Sequence, residues 1–178
     1  MITAKLLLAY LLQASDITGV ADTSKVDPAE AYCLAENIFY ESRNEDIRGQ
    51  FAVASVTLNR AKDPRFPNTI CGVVKQALPH RITKNIVCAF SWYCENDKKG
   101  KEINFLKKDG TINQALVDQF QIASIVAITV LAGEVEDNTK GATHFHNPFT
   151  SKPAWRFEMT RTMRVGNHDF YRMPAPKE

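Results

Sequence analysis

The chain reads as one α+β domain, mostly helical, with a small antiparallel sheet toward its C-terminal end. Three observations predict this. A helix opens at Asp27-Pro28, with Asp as N-cap and Pro at the first helical position. A second, longer apolar stripe runs from Asn113 to Ala132 and stops at Gly133. Beyond it the pattern shifts to short strands around a Gly166-Asn167 pair that suits a two-residue hairpin turn. At 178 residues the chain is long enough for a substantial core, and it shows no internal linker or repeat.

Taken in order, Lys5 precedes an apolar run, Leu6 to Leu12, and Gly19-Val20-Ala21 has the small residues of a cleavage site. Residues 1–26 therefore read either as an export segment or as a helix, Thr3 to Ala14, packing its leucines on the domain. The run falls short of the about 20 residues a membrane span needs, so no stable span is expected. Residues 27–178 read as a single unit. Its first helix should end near Arg43, with Asn44 in the left-handed position. A second begins near Asp46, buries Ile47, Phe51, Ala54 and Leu58, and ends around Arg60. AKDPRFPNT is loop, and Thr69 caps a short helix over Ile70 to Gln76. Ile86 to Tyr93 contains a strand, followed by a polar, Lys-rich loop or hairpin through Gly110. The long helix turns Leu116, Phe120, Ala123, Ala127 and Val130 inward. Strands follow around Thr143 to His146, Glu158 to Val165 and His168 to Arg172.

Composition excludes some classes. A net charge of +2 suits an acidic polymer but is too small for a nucleic-acid partner, and there is no basic tract interleaved with aromatics and no Gly-rich phosphate loop. The four cysteines, Cys33, Cys71, Cys88 and Cys94, allow three full pairings, and spacing does not choose among them. Cys88 and Cys94 can close a small loop; Cys33 reads as a buried thiol or as the partner of a distant cysteine. A zinc set of Cys88, Cys94, His144 and His146 would have the spacing C-x5-C with H-x-H, which matches no common site, so neither metal nor cofactor is expected.

The segment from Ala35 to Arg60 carries most of the chemistry. Ile38, Leu34 and Ala31 lie three, seven and ten residues before Glu41, the spacing of one helix face. A carboxyl at the end of such a stripe meets low polarity, and desolvation raises a carboxyl pKa enough to keep a proton available near neutrality. Glu41 is the candidate general acid; the plainer alternative is a helix-end glutamate salt-bridged to Arg43 or Arg48. Ser91, Trp92 and Trp155 offer hydroxyl and aromatic surface to a ligand, set against core packing of the two indoles. His144 and His146 alternate along a strand and share a face beside Asn147. Tyr40 points about 100° away from Glu41 around the helix and suits core packing. Arg60 reads as a structural ion-pair partner.

The blocks A-E-N-I-F-Y-E-S-R-N-E, G-Q-F-A-V-A-S-V-T-L-N-R, F-P-N-T-I-C-G-V-V, F-S-W, G-A-T-H-F-H-N-P and P-A-W, in this order over roughly residues 30 to 172, resemble the cell-wall hydrolase family of the spore cortex-lytic enzymes. The resemblance implies a compact, lysozyme-like fold and cleavage of peptidoglycan glycan strands as a lytic transglycosylase. It also implies catalysis by the first acid of the E-[AS]-R-G-E motif, here Glu41. The usual glycine of that motif is Asn44, and Ala77 to Val87 is extra sequence before F-S-W. The implied partner is the glycan strand, met by a monomer at the cell wall, periplasmic or extracellular, after export or phage-assisted release.

A transglycosylase needs one acid, because the muramic 6-hydroxyl replaces water as nucleophile. A hydrolytic muramidase needs a second carboxylate, for which Glu45, Glu95 and Asp97 are the candidates. With a break at Asn44, Glu45 should cap or orient Arg43 or Arg48 instead. A metal-dependent amidase using the histidines, or a wall-binding module without catalysis, are the readings of other classes.

Overall fold

The computed structural model describes residues 3–19, 21–79, 84–95 and 102–175. Among these, six α-helices and two small antiparallel sheets make an α+β fold that is mainly helical, as the sequence predicts. Helix α1 is Ala4–Thr18, α2 Pro28–Ser42, α3 Ile47–Lys62, α4 Ile70–Val74, α5 Ser91–Cys94 and α6 Gln114–Leu131. Strands β1 (Ala77–Pro79) and β2 (Ile86–Cys88) form one hairpin; β3 (His144–His146), β4 (Thr160–Val165) and β5 (His168–Arg172) form the other sheet in the order β3-β5-β4.

Local hydrogen bonds set the helix starts. Asp27 accepts from the backbone N–H of Ala29 at 2.7 Å, Asp46 from Gly49 at 2.8 Å, and Thr69 from Gly72 at 3.0 Å. Helix α2 is central and buried on nearly every side, with Ala31, Leu34, Ala35 and Ile38 wholly inaccessible. It packs chiefly on α6, whose Phe120, Ala123 and Ala127 are also fully buried. Helix α6 is long and apolar enough to cross a membrane by composition, but here it forms part of this core. Leu8 and Leu11 of α1 join the same core.

Three expectations are corrected. Ile47 is about half exposed, because α3 lies between two layers: Ala54 and Thr57 face the helices, while Ala52 and Val56 face Phe170 of the sheet. The strand expected over Ile86 to Tyr93 ends at Cys88, and the F-S-W segment turns into α5, its loop closed by the Cys88–Cys94 disulfide. Asn44 does not take the left-handed conformation; Lys84 and Lys140 are the non-glycine residues at positive φ among those described. The break after α2 is instead a tight turn in which the N–H of Glu45 donates to the Ser42 carbonyl at 2.9 Å. Of the three pairings open to the four cysteines, the structure has Cys33–Cys71 with Cys88–Cys94.

The sheet docks through α3. Arg60 Nε donates to the Thr143 carbonyl at 2.6 Å and Asn59 Nδ2 to the Ala142 carbonyl at 3.0 Å, so two side chains at the end of α3 fix the strand that carries His144 and His146. The hairpin turn falls at Gly166-Asn167, with Val165 paired to His168 and Gly166 at φ +53°.

Candidate active site

Where the C-terminal end of α2 meets the sheet there is a cleft of ≈ 190 Å³ lined by Tyr40, Glu41, Arg43, Glu45, Asn147 and His168, among others. Glu41 is half-buried one residue before the end of α2, above the fully buried Ile38, Leu34 and Ala31, so the predicted stripe is real. The nearby Arg60 guanidinium is almost wholly buried. Desolvation pulls its pKa down to about 10, while the Glu41 carboxylate acts to raise it. The attraction is mutual, so Arg60 stabilises the ionised form of Glu41. Its ring partners are Phe90 at 4.8 Å and Phe66 at 5.6 Å.

Glu45 shares the cleft but is occupied otherwise than expected. One carboxylate oxygen accepts from the Asn167 backbone N–H at 3.0 Å and the other from Asn167 Nδ2 at 2.9 Å. Its job is to clamp the β4–β5 turn onto the α2–α3 corner, and Arg48 pairs with Asp46 instead. A methyl group on Gly166 would collide with this carboxylate, which explains the glycine there. Glu95 is exposed at the end of α5, outside the lining of this cleft; Asp97 lies outside the described residues.

The expected sugar-binding set divides. Asn147 reaches the cleft, its Oδ1 accepting from the Phe149 N–H at 2.9 Å. Trp92 does not offer a stacking face: it is 4% exposed, its indole N–H donates to Asn37 at 2.9 Å, and Tyr40 stacks on it at 4.5 Å. His146 is likewise interior, with Nδ1 against the Ser151 carbonyl at 3.0 Å and Nε2 against the Tyr171 hydroxyl at 3.2 Å. A carbonyl only accepts, so Nδ1 donates and neither ring nitrogen is left for a ligand. His144 does share the strand face with His146, and Trp155 lies over both at 5.1 and 5.7 Å. Burial, helped by Arg60 and Arg65, lowers the His144 pKa to about 4, so this imidazole is uncharged near neutrality. Ser91 is exposed at the start of α5, outside the lining of the Glu41 cleft.

Two residues beside Glu45 escaped the sequence reading, one in the cleft lining and one outside it. His168 is buried, with Nδ1 3.9 Å from Glu45 and no hydrogen-bond partner on that nitrogen among the described residues. Burial lowers its pKa, opposed by Glu45. Asn167 is the other. The predicted turn was the signal for both, but nothing in the sequence says which helix corner a hairpin will touch.

Fold and site together define a class: a mainly helical α+β domain in which one half-buried glutamate lines a cleft beside a small sheet, within electrostatic reach of a buried arginine. Over residues 44–171 the chain matches the model of the cell wall hydrolases, and it belongs to that family. The match begins at Asn44, just past Glu41. The chain is 28% identical over 137 residues to the spore cortex-lytic enzyme of Halalkalibacterium halodurans and 26% identical over 137 residues to that of Bacillus subtilis. Each alignment takes in 77% of this chain, but only 33% and 35% of those proteins. The chain thus spans about a third of the length of these curated relatives. Two solved structures are similar. The catalytic domain of Bacillus cereus SleB has a TM-score of 0.54 and 27% identity, with 81% of this chain and 91% of that one covered. The catalytic domain of the germination-specific lytic transglycosylase SleB from Bacillus anthracis has a TM-score of 0.56 and 26% identity, with 84% and 98% covered.

Proposed function

We propose that this protein cleaves the β-1,4 bond between N-acetylmuramic acid and N-acetylglucosamine in peptidoglycan as a lytic transglycosylase, with Glu41 as its single catalytic carboxylate. The observation that carries this reading is the position of Glu41, half-buried in the cleft at the C-terminal end of α2, while the neighbouring Glu45 holds the β4–β5 turn with both its oxygens. Protonated Glu41 gives its proton to the glycosidic oxygen as the bond to C1 breaks. The muramic 6-hydroxyl then attacks C1 and returns its proton to the Glu41 carboxylate, closing a 1,6-anhydro ring without consuming water. Arg60 stabilises the carboxylate left when Glu41 gives up its proton, and Asn147 is placed to orient the sugar's polar groups. Both SleB neighbours support the assignment through their fold, and the B. anthracis protein is itself described as a lytic transglycosylase. The catalytic unit comprises residues 27–178, acts as a monomer on the wall outside the cytoplasm, and uses no metal.

The product identifies the reaction. Digests of purified peptidoglycan should contain anhydromuramic ends, each lighter by one water than a hydrolytic product, and no new reducing ends. Glu41→Gln should cut the rate by roughly 10²–10⁴-fold while leaving the circular dichroism spectrum unchanged, since the amide keeps the shape but delivers no proton. Reducing muramic ends that vanish in Glu45→Gln would establish a two-carboxylate hydrolase instead.

A further inference from the structure

An exposed phenylalanine by itself says little, but two of them here are fixed in place without being buried. Phe149 and Phe157 are 75% and 79% exposed, the most exposed large apolar side chains among the described residues. Phe149 immediately follows the G-A-T-H-F-H-N-P block in which Asn147 stands. Its N–H donates to Asn147 Oδ1 at 2.9 Å, and the Asn147 carbonyl accepts from the N–H groups of Thr150 and Ser151 at 3.2 and 2.9 Å. The segment is thereby wound tightly on a residue that lines the Glu41 cleft. Two residues on, the Phe149 backbone is at most about 7 Å from that of Asn147.

The ring is held from the far strand. In the order β3-β5-β4, His146 of β3 pairs with Asp169 of β5, and Asp169 pairs with Arg164 of β4. The Arg164 guanidinium grips the buried Asp169 carboxylate through bonds of 2.6 and 3.0 Å. It also lies over the Phe149 ring, 5.6 Å from its centre. The loop leaving β3 therefore reaches across β5 to β4. In the next row of the sheet Val165 pairs with His168, and His168 lines the cleft as Asn147 does. One anchor of Phe149 is thus a cleft residue, and the other stands one row from a cleft residue.

Arg164 covers one face of the ring, and so high an exposure leaves the other face open. The negative face of an aromatic ring attracts the polarised C–H groups of a pyranose. We propose that Phe149 is a sugar-stacking residue, which seats the sugar next to the one held at Asn147 and so lengthens the Glu41 cleft by one subsite. The identity of the strand as peptidoglycan glycan rests on the function proposed above; the placement of the aromatic platform does not. Phe157 is the natural comparison. Arg156 lies over it at 4.1 Å, but Arg156 is held by the Lys152 and Pro153 carbonyls, so neither anchor is a cleft residue.

The probe is soluble, uncross-linked peptidoglycan strands, titrated calorimetrically into the full chain carrying Glu41→Gln so that nothing is consumed. The strands should bind, and adding Phe149→Ala should weaken binding about tenfold, the equivalent of about 1.4 kcal/mol. Phe149→Trp should restore binding, and Phe157→Ala should leave it unchanged. In the active protein, Phe149→Ala should raise KM for the same strands about tenfold, with kcat and melting temperature unchanged. Where the Glu41→Gln chain binds too weakly to titrate, KM decides alone. Binding and KM that Phe149→Ala leaves unchanged would overturn the proposal, as would an equal loss in Phe157→Ala. If the strands bind through Phe149 and the parent protein does not cut them, the reading of Glu41 falls and the platform stands; if they are cut and Phe149→Ala changes nothing, the reverse holds.

Discussion

Two tryptophans that the sequence offers as ligand surface end in different places. Trp92 is held by the fully buried Asn37, whose Nδ2 in turn donates to Thr57 at 3.1 Å, so one amide ties α5 to α2 and α3. Trp155 is half-buried, edge-on to His146 and Tyr171 and tilted over His144, on the strand that leads into Asn147. Trp92→Ala should therefore cost about 3–5 kcal/mol and leave Asn37 without its donor, seen as a large drop in melting temperature. Trp155→Ala should lower the melting temperature less and raise KM for glycan strands. Equal losses of stability in the two variants would make Trp155 a second core residue. The loop proline before Trp155 already made it the weaker core candidate of the two, but nothing local placed Trp92 in the core. Only Asn37, twenty residues before its partner Thr57, decides it.

At the level of elements, what the sequence reveals follows the range of the forces involved. The starts of α2, α3, α4 and α6 were legible because each cap is a bond within three residues. The turn at Gly166-Asn167 was legible for the same reason. The β1–β2 hairpin and α5 were not, since elements of three and four residues have too little pattern and depend on closure by Cys88–Cys94. The exposed Leu78, Ile86 and Val87 on that hairpin even mimic a buried strand. The two disulfides should differ in weight. Cys33–Cys71 closes a separation of 38 residues and joins α2 to α4; Cys88–Cys94 closes only 6. Loop-closure entropy predicts about 4 kcal/mol for the first and about 2 kcal/mol for the second. Urea denaturation of the paired Cys→Ser variants should show that order, and the reverse order would mean that the short loop, not the α2–α4 link, limits unfolding.

For the whole molecule the balance is between two buried titratable groups on different sides of the core. Burial lifts the Glu36 pKa to about 7, against the lowering pull of Lys75 and Lys5, with Tyr32 and Glu102 also facing it. The folded state then holds a proton that the unfolded chain releases near 4.5. The stability that comes from holding it is complete below pH 4.5 and is lost as pH rises through about 7. His144 runs the other way: with its pKa lowered to about 4, its contribution is complete above pH 6.5 and is lost as pH falls toward 4. Between these limits the two slopes oppose each other and flatten the profile. Glu36→Gln removes one of them while keeping the shape of the side chain. The variant should gain on the parent protein by up to roughly 3 kcal/mol at pH 8 and little at pH 4.5. Carboxylates held by hydrogen bonds, such as Asp63 and Asp169, weaken both proteins alike in acid and drop out of the difference. The measurement is the gap in unfolding free energy between variant and parent across that range. A gap independent of pH would show that the Glu36 carboxyl is as well solvated in the fold as in the open chain.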